Sequence, residues 1–208
     1  MRKRYYRTNP KGSKQMAYIE VNKGKKIILG SNSPRRKQLL EDAGVKFKIR
    51  AFPINEDYPV KLKGSEITEY LVKKKSKEFK EVKDDEIIIT ADTIVWAQNE
   101  HLGKPNNTTE AKKFLEKISN MKHEVITSVC FTEKEKQTII SESTFVLFKK
   151  LSISEINYYL NNFDFLDKAG AYGIQDWIGN IGVKRIEGSY TNVVGLPVCQ
   201  VIDVLQKL

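Results

Sequence analysis

Short apolar runs separated by turn residues recur along this chain and alternate with stretches of helical period. The first run, Ile27-Ile28-Leu29, reads as a buried strand. Gly30-Ser31-Asn32-Ser33 then turns the chain, and Ser33 before Pro34 predicts a helix N-cap followed by proline at the first helical position. That helix runs to about Ala43 and stops at Gly44, with Leu39, Leu40 and Ala43 on its buried face. Val45–Ala51 predicts a second strand, with Phe47 and Ile49 on one face. A loop, Phe52 to Asp57, follows. Ser65 is placed as the cap of the next helix, whose apolar face holds Ile67, Leu71 and Phe79 and whose other face carries Lys73, Lys74, Lys75 and Lys77.

Ile87-Ile88-Ile89-Thr90-Ala91 is the best central strand, with Asp92 and Thr93 at its C-terminal end and a continuation over Ile94–Gln98 after a bend. Thr108 or Thr109 caps a helix to about Ser119. His123–Thr132 and Thr138–Phe148 predict an antiparallel hairpin turned at Glu133–Lys136. Ser152 or Ser154 caps a helix to about Asn161. Residues 164–196 are glycine-rich and follow no clear period, apart from a strand over Ile181–Ile186; Pro197–Leu208 reads as a closing helix. Strands alternating with helices around one hairpin predict an α/β fold with a mixed sheet.

Composition narrows the classes. The 208 residues fit one domain, or one domain with two lobes. No apolar run approaches the roughly 18 residues of a membrane-crossing helix, and no signal-peptide core is present, so a cytoplasmic location is the expectation. Cys130 and Cys199 lie far apart among apolar residues and read as buried free thiols. The net charge is +10, but residues 1–26 carry nine basic residues against Glu20 alone. The body is therefore close to balanced and offers little support for nucleic acid as a partner. Residues 1–24 read as a poorly ordered basic extension, with a short strand at Met16–Val21 as an option, and residues 25–208 as the folded domain.

The first loop has the makings of an anion site: backbone N–H groups, hydroxyls and the positive end of a helix dipole converge there. Arg35 and Arg36 sit in the first helical turn, where cations are unfavourable unless something negative pairs with them. Their forks match phosphate oxygens. A capped surface helix with two solvated arginines is the plain alternative. Asp92 at a strand end could hold a metal or take a proton from water, or simply cap a turn. Lys104 between Gly103 and Pro105, and Glu56 in its loop, are each unspecific alone.

In combination they are specific. Ser31-x-Ser33-Pro34-Arg35-Arg36, Ala91-Asp92-Thr93, Leu102-Gly103-Lys104-Pro105, Asp167 to Gln175 and Ile186 to Pro197 occur in that order. Residues 25–208 thereby resemble the Maf family of nucleoside triphosphate pyrophosphatases. The resemblance implies a Maf/inosine-triphosphatase-like fold: a mixed central sheet flanked by helices, with two lobes around a cleft. It implies that Ser31, Arg35 and Arg36 bind the triphosphate, that Glu56, Lys75 and Lys104 join the catalytic set, and that Asp92 is the general base. Asp167 and Lys168 begin the motif that helps close the cleft. Arg35, Thr93 and Gln175 match the selectivity positions of the dTTP/UTP branch. Mg²⁺ or Mn²⁺ is implied as cofactor, with Glu56 as a metal ligand, and a homodimer as the assembly. Family members have also been linked to restraint of septum formation, so a non-catalytic nucleotide- or nucleic-acid-binding regulator is the alternative.

Overall fold

The structure is a computed structural model, and it describes Val21 and residues 24–208. The basic extension and the strand option at Met16–Val21 lie outside the described residues, except that Val21 itself is buried and not in a strand. Seven strands form one mixed sheet: β1 (Lys26–Leu29), β2 (Phe47–Ile49), β3 (Glu86–Ala97), β4 (Glu100–Leu102), β5 (Lys122–Thr132), β6 (Gln137–Phe148) and β7 (Val183–Glu187). Their order is β2-β1-β3-β5-β6-β7, with β4 added to β3. β1 is parallel to β2 and β3, whereas β3, β5, β6 and β7 are mutually antiparallel neighbours.

Helices α1 (Pro34–Asp42), α2 (Ser65–Ser76), α3 (Thr108–Ile118), α4 (Ile153–Asn162), α5 (Trp177–Gly182), α6 (Tyr190–Val194) and α7 (Val198–Leu205) pack around this sheet. Two large apolar clusters share β3. One gathers Ile87, Ile89 and Ala91 with Leu40 of α1 and with Val201 and Leu205 of α7. The other gathers Val95 and Ala97 with Ala111, Leu115 and Ile118 of α3 and Ile156 and Tyr159 of α4. These are the two lobes, strung along one strand. On the opposite face of β3, Ile94 packs with Ile67 and Leu71 of α2, and Ile88 packs with Ile28 and Phe79. The period-2 alternation of a strand divides these sets.

Local chemistry explains most boundaries. Ser33 caps α1, and Gly44 turns the chain after it at φ 71°. Ser152 caps α4 in a full capping box with Glu155. Several expectations are corrected. The cap of α2 is Gly64, not Ser65: its φ of 51° turns the chain one residue earlier, and Ser65 is already helical. Asn107, not Thr108 or Thr109, caps α3, because its amide oxygen accepts from Glu110 N at 2.9 Å. α2 ends at Ser76, so Phe79 lies beyond the helix rather than on its face. β2 keeps only three residues and leaves Ile49 exposed at the sheet edge. Ile181 and Gly182 belong to α5, and the strand begins at Val183. Cys130 is buried as expected, but Cys199 is exposed on α7, whose buried positions are Val201 and Leu205.

The correction that matters most concerns β3. It does not end at Ala91 but runs unbroken for 12 residues, with Asp92 and Thr93 near its middle. β5 pairs with it from Ile88 to Trp96. On its other edge β1 pairs only as far as Ile89, and β4 takes over only from Val95. Between them that edge of β3 carries no strand, and the cleft between the lobes opens there. No helix among the described residues is long and apolar enough to cross a membrane.

Candidate active site

The first loop is built as a holder for one arginine. Gly30 continues the ladder past β1, its N–H donating to Ile89 O at 2.8 Å. A Cβ there would lie 2.9 Å from both the Phe79 ring and the Thr90 methyl, so any larger residue would have to displace them. The backbone of Ser33 donates to Ser31 Oγ at 3.2 Å, and Ser33 Oγ accepts from Arg36 N at 3.4 Å. The Arg36 side chain is then fixed through all three nitrogens. Nε donates to Gly195 O at 2.9 Å, Nη1 to Ser31 Oγ at 3.2 Å, and Nη2 to Thr93 Oγ1 at 3.1 Å. A guanidinium has five N–H donors. One on each terminal nitrogen is left for a ligand. Burial pushes the Arg36 pKa below its usual range, with Asp92 and Glu56 opposing and Arg35 adding to the shift. An arginine stays charged through such a shift.

Arg35 does something different. Its Nη1 pairs with Asp167 Oδ2, and its Nη2 donates to Asp167 O at 2.9 Å. The pair spans the cleft mouth, from α1 to the segment before the 3₁₀ turn Ala169–Ala171. Lys168, behind it, pairs with Asp167 at 3.0 Å and Asp176 at 3.6 Å and donates to Asp164 O. Burial alone would raise the Asp167 carboxyl, but Lys168 and Arg35 outweigh it and hold it below the usual range.

The opposite wall is a chain of alternating charge. Lys75 Nζ, on a side chain only 15% exposed, lies 2.6 Å from Asp92 Oδ1 and 2.9 Å from Glu56 Oε1. Glu56 Oε2 meets Lys104 Nζ at 3.2 Å. Partial burial works against ionised Glu56, yet the two lysines prevail and bring its pKa down to about 2. Of the lysine-dense face of α2, Lys73 and Lys77 are exposed as expected, whereas Lys75 turns inward. Asp92 lies on the α2 face of β3 and Thr93 on the α1 face, because neighbours on a strand point opposite ways. Both line the same cleft because the β3 edge between them is open.

That cleft measures about 800 Å³ and is lined by Ser31, Arg36, Glu56, Lys75, Asp92 and Lys104 among others. The size is within the range of small-molecule sites. Gln175 also lines it, and its buried Oε1 has no hydrogen-bond partner. No group of three or more His, Cys, Asp or Glu side chains placed to hold a metal occurs among the described residues. The available donors are the carboxylates of Asp92 and Glu56, bridged by Lys75. That set fits a Mg²⁺-like ion that arrives with a polyphosphate, since such ions are commonly held by one or two carboxylates plus substrate oxygens.

Every site residue expected from the sequence lines the cleft. Thr93 and Arg35 are already engaged, with Arg36 and Asp167 respectively. Sequence reasoning missed Thr127, which bonds Thr93 from behind at 2.9 Å, and Asn192, whose carbonyl receives Thr127. The signal was a Thr-Ser pair inside the otherwise apolar run Val125 to Phe131. It also missed His101, which meets Tyr58 through Nδ1 at 2.6 Å and whose pKa burial lowers, with Asp92 and Glu56 opposing.

The family model described as "Maf-like protein" matches residues 26–208. A protein of Flavobacterium johnsoniae named dTTP/UTP pyrophosphatase is 49% identical over 184 residues, covering 88% of this chain and 95% of its own. One of Flavobacterium psychrophilum with the same name is 51% identical over 173 residues, covering 83% and 89%. The solved structure of the Staphylococcus aureus Ham1 protein aligns over 88% of this chain and 99% of that one, at 12% identity and a TM-score of 0.48, too low for a shared fold to follow. With a family match across nearly all the described residues and relatives about half identical along most of their length, the chain belongs to the Maf-like protein family.

Proposed function

We propose that the protein hydrolyses nucleoside triphosphates, dTTP and UTP foremost, between the α- and β-phosphates to give the monophosphate and pyrophosphate. The carrying observation is the Arg36 fork on one side of the cleft facing the Asp92–Lys75–Glu56–Lys104 chain on the other. The relatives named dTTP/UTP pyrophosphatase support the same reading.

In this mechanism the loop N–H groups after Ser31, with Arg36, Lys75 and Lys104, neutralise the phosphates. Prepositioned charges of this kind need little reorganisation during reaction. Asp92 accepts a proton from water, whose oxygen attacks phosphorus; the bridging P–O bond breaks, and its electron pair leaves with the departing phosphate group. Lys75, 2.6 Å from Asp92 Oδ1, holds that carboxylate in place at the cleft wall. Glu56 and Asp92 are the residues that would hold a Mg²⁺ or Mn²⁺ arriving with the substrate, and such an ion would supply further charge stabilisation. Arg35 and Asp167, backed by Lys168, draw the cleft mouth together over the substrate.

Base choice is assigned to Gln175. Its Oε1 is an acceptor in need of a donor. The imide N–H of thymine or uracil supplies one; the corresponding ring nitrogen of cytosine carries no hydrogen. Thr93 and Arg35 act on selectivity indirectly, through Arg36 and Asp167. A homodimer is proposed on the same family footing, and sedimentation equilibrium at twice the chain mass is the expected reading.

Pyrophosphate release from a panel of triphosphates with Mg²⁺ or Mn²⁺ tests the activity. Asp92→Asn is expected to remain folded and to lose roughly 10²–10⁴-fold in turnover. Near-normal turnover in that variant would remove Asp92 as the base. Gln175→Leu should reduce the dTTP over dCTP preference about tenfold while sparing much of the rate; an unchanged ratio assigns base reading elsewhere.

Glu56 makes a pH signature. Its folded pKa, about 2, lies below its ordinary 4.5, so its stabilising effect is complete above about pH 4.5 and fades as pH falls toward 2. Denaturant titrations of the wild type and of Glu56→Gln should therefore diverge near neutrality and converge on acidification. A difference constant across that window would mean that Glu56 is not held ionised by the lysines.

A further inference from the structure

The bonds that fix Arg36 continue beyond the cleft wall into the core. Thr93 and Thr127 are direct cross-strand partners on β3 and β5. Thr127 is fully buried, although its strand is largely apolar there. Its Oγ1 lies 2.9 Å from Thr93 Oγ1 and 3.2 Å from Asn192 O. Asn192, also fully buried, donates through Nδ2 to Val125 O at 3.0 Å and Thr144 Oγ1 at 2.9 Å. Thr144 Oγ1 in turn accepts from Ser189 N at 3.0 Å. Asn192 thus fastens α6 to β5 and β6. That helix ends at Gly195, whose carbonyl receives Arg36 Nε.

The chain of hydroxyls has a direction. An arginine only donates, so Thr93 Oγ1 must accept from Arg36 Nη2. Each threonine has one proton to give. The shortest contact open to the Thr93 proton is Thr127 at 2.9 Å, ahead of Gly195 O at 3.4 Å. Thr127 then sends its own proton to Asn192 O. Polarity runs one way: Arg36, Thr93, Thr127, Asn192 backbone. Chains of this kind polarise one another, and within a buried setting a broken member leaves its neighbours unpaired.

We propose that Thr127 is a positioning residue for Arg36: its hydroxyl, seated on the Asn192 carbonyl, turns the Thr93 lone pair toward Nη2 and so aims the two remaining N–H groups of the guanidinium at a phosphate. This rests on the proposed function only in taking a polyphosphate as the ligand of Arg36. It also makes Thr93 a lever on the arginine, with its proton already committed away from the nucleobase.

The test uses the full chain, with two readouts: calorimetric affinity for inorganic tripolyphosphate, and kcat and KM for dTTP. Thr127→Val keeps the branched shape and deletes the hydroxyl. Its tripolyphosphate affinity and its kcat/KM are expected to fall about tenfold, with Thr127→Ser recovering to within about twofold. In an Arg36→Lys background the Thr127→Val change should have no further effect, because the fork it aims is gone. Equal losses in both backgrounds, or full affinity in a folded Thr127→Val protein, would overturn the proposal. If the valine variant does not fold, Thr127→Ala is read in the same cycle. A wild type that binds tripolyphosphate but releases pyrophosphate from no triphosphate overturns the hydrolase reading and leaves this one to the binding data. A wild type that binds neither tripolyphosphate nor dTTP overturns both.

Discussion

The site depends on a change of partner along one edge of β3. β1 runs parallel to it and stops at Ile89; β4 runs antiparallel and starts at Val95. A strand cannot carry both pairings on one edge at one place, so residues between them are left without a strand neighbour there. Buried backbone groups demand partners, and such a gap is tolerable only where side chains or solvent reach it. Here Lys75 Nζ comes within 3.5 Å of Ala91 O. The other edge, paired with β5 from Ile88 to Trp96, keeps the strand continuous across the gap. The cleft is therefore a consequence of sheet topology, and the chemistry occupies the place where the ladder is interrupted.

Alternation along β3 then divides the labour. One face delivers Asp92 to the lysines of α2 and the loop at Glu56; the other delivers Thr93 to Arg36 on α1. The carboxylates and lysines of one wall neutralise one another, while Arg36 is held by neutral acceptors alone. The two walls are thus unlike in kind. The carboxylate wall is held together mainly by ion pairs between side chains. The arginine wall is anchored through Gly195 and the buried hydroxyls, so it supplies a fixed reference against which a phosphate is placed.

Much of this was legible in the residues. Ser33-Pro34 announces its helix, because capping and proline chemistry act within a few residues. The hairpin of β5 and β6 shows in two long runs about a charged turn. The motif residues from Ser31 to Gln175 do meet in one cleft. What the residues did not display is long-range. That β3 passes unbroken through Asp92 depends on β5, more than 30 residues on; an aspartate within an apolar run reads locally as an end. By charge and period Lys75 looks like its neighbours Lys73 and Lys74; the family resemblance singled it out, and the docking of α2 against β3 supplies the physical reason. Cys199 has apolar neighbours in sequence, but a helix as amphipathic as α7 turns it outward all the same. Thr127 was visible as a polar residue in a hydrophobic strand, yet its reason lies across the sheet, in Thr93 and in a helix turn at Asn192.

The alternation on β3 has a consequence of arithmetic. Moving the strand by one residue past β5 would send every side chain to the other face of the sheet. The carboxylate of Asp92 would then be presented to Arg36, and the hydroxyl of Thr93 to Lys75. Both sets of residues would still be present, and both would be useless. The number of residues between Glu86 and Asp92 is therefore constrained by parity as well as by chemistry: one residue gained in this strand, unless taken up as a bulge, would dismantle the site without changing any member of it.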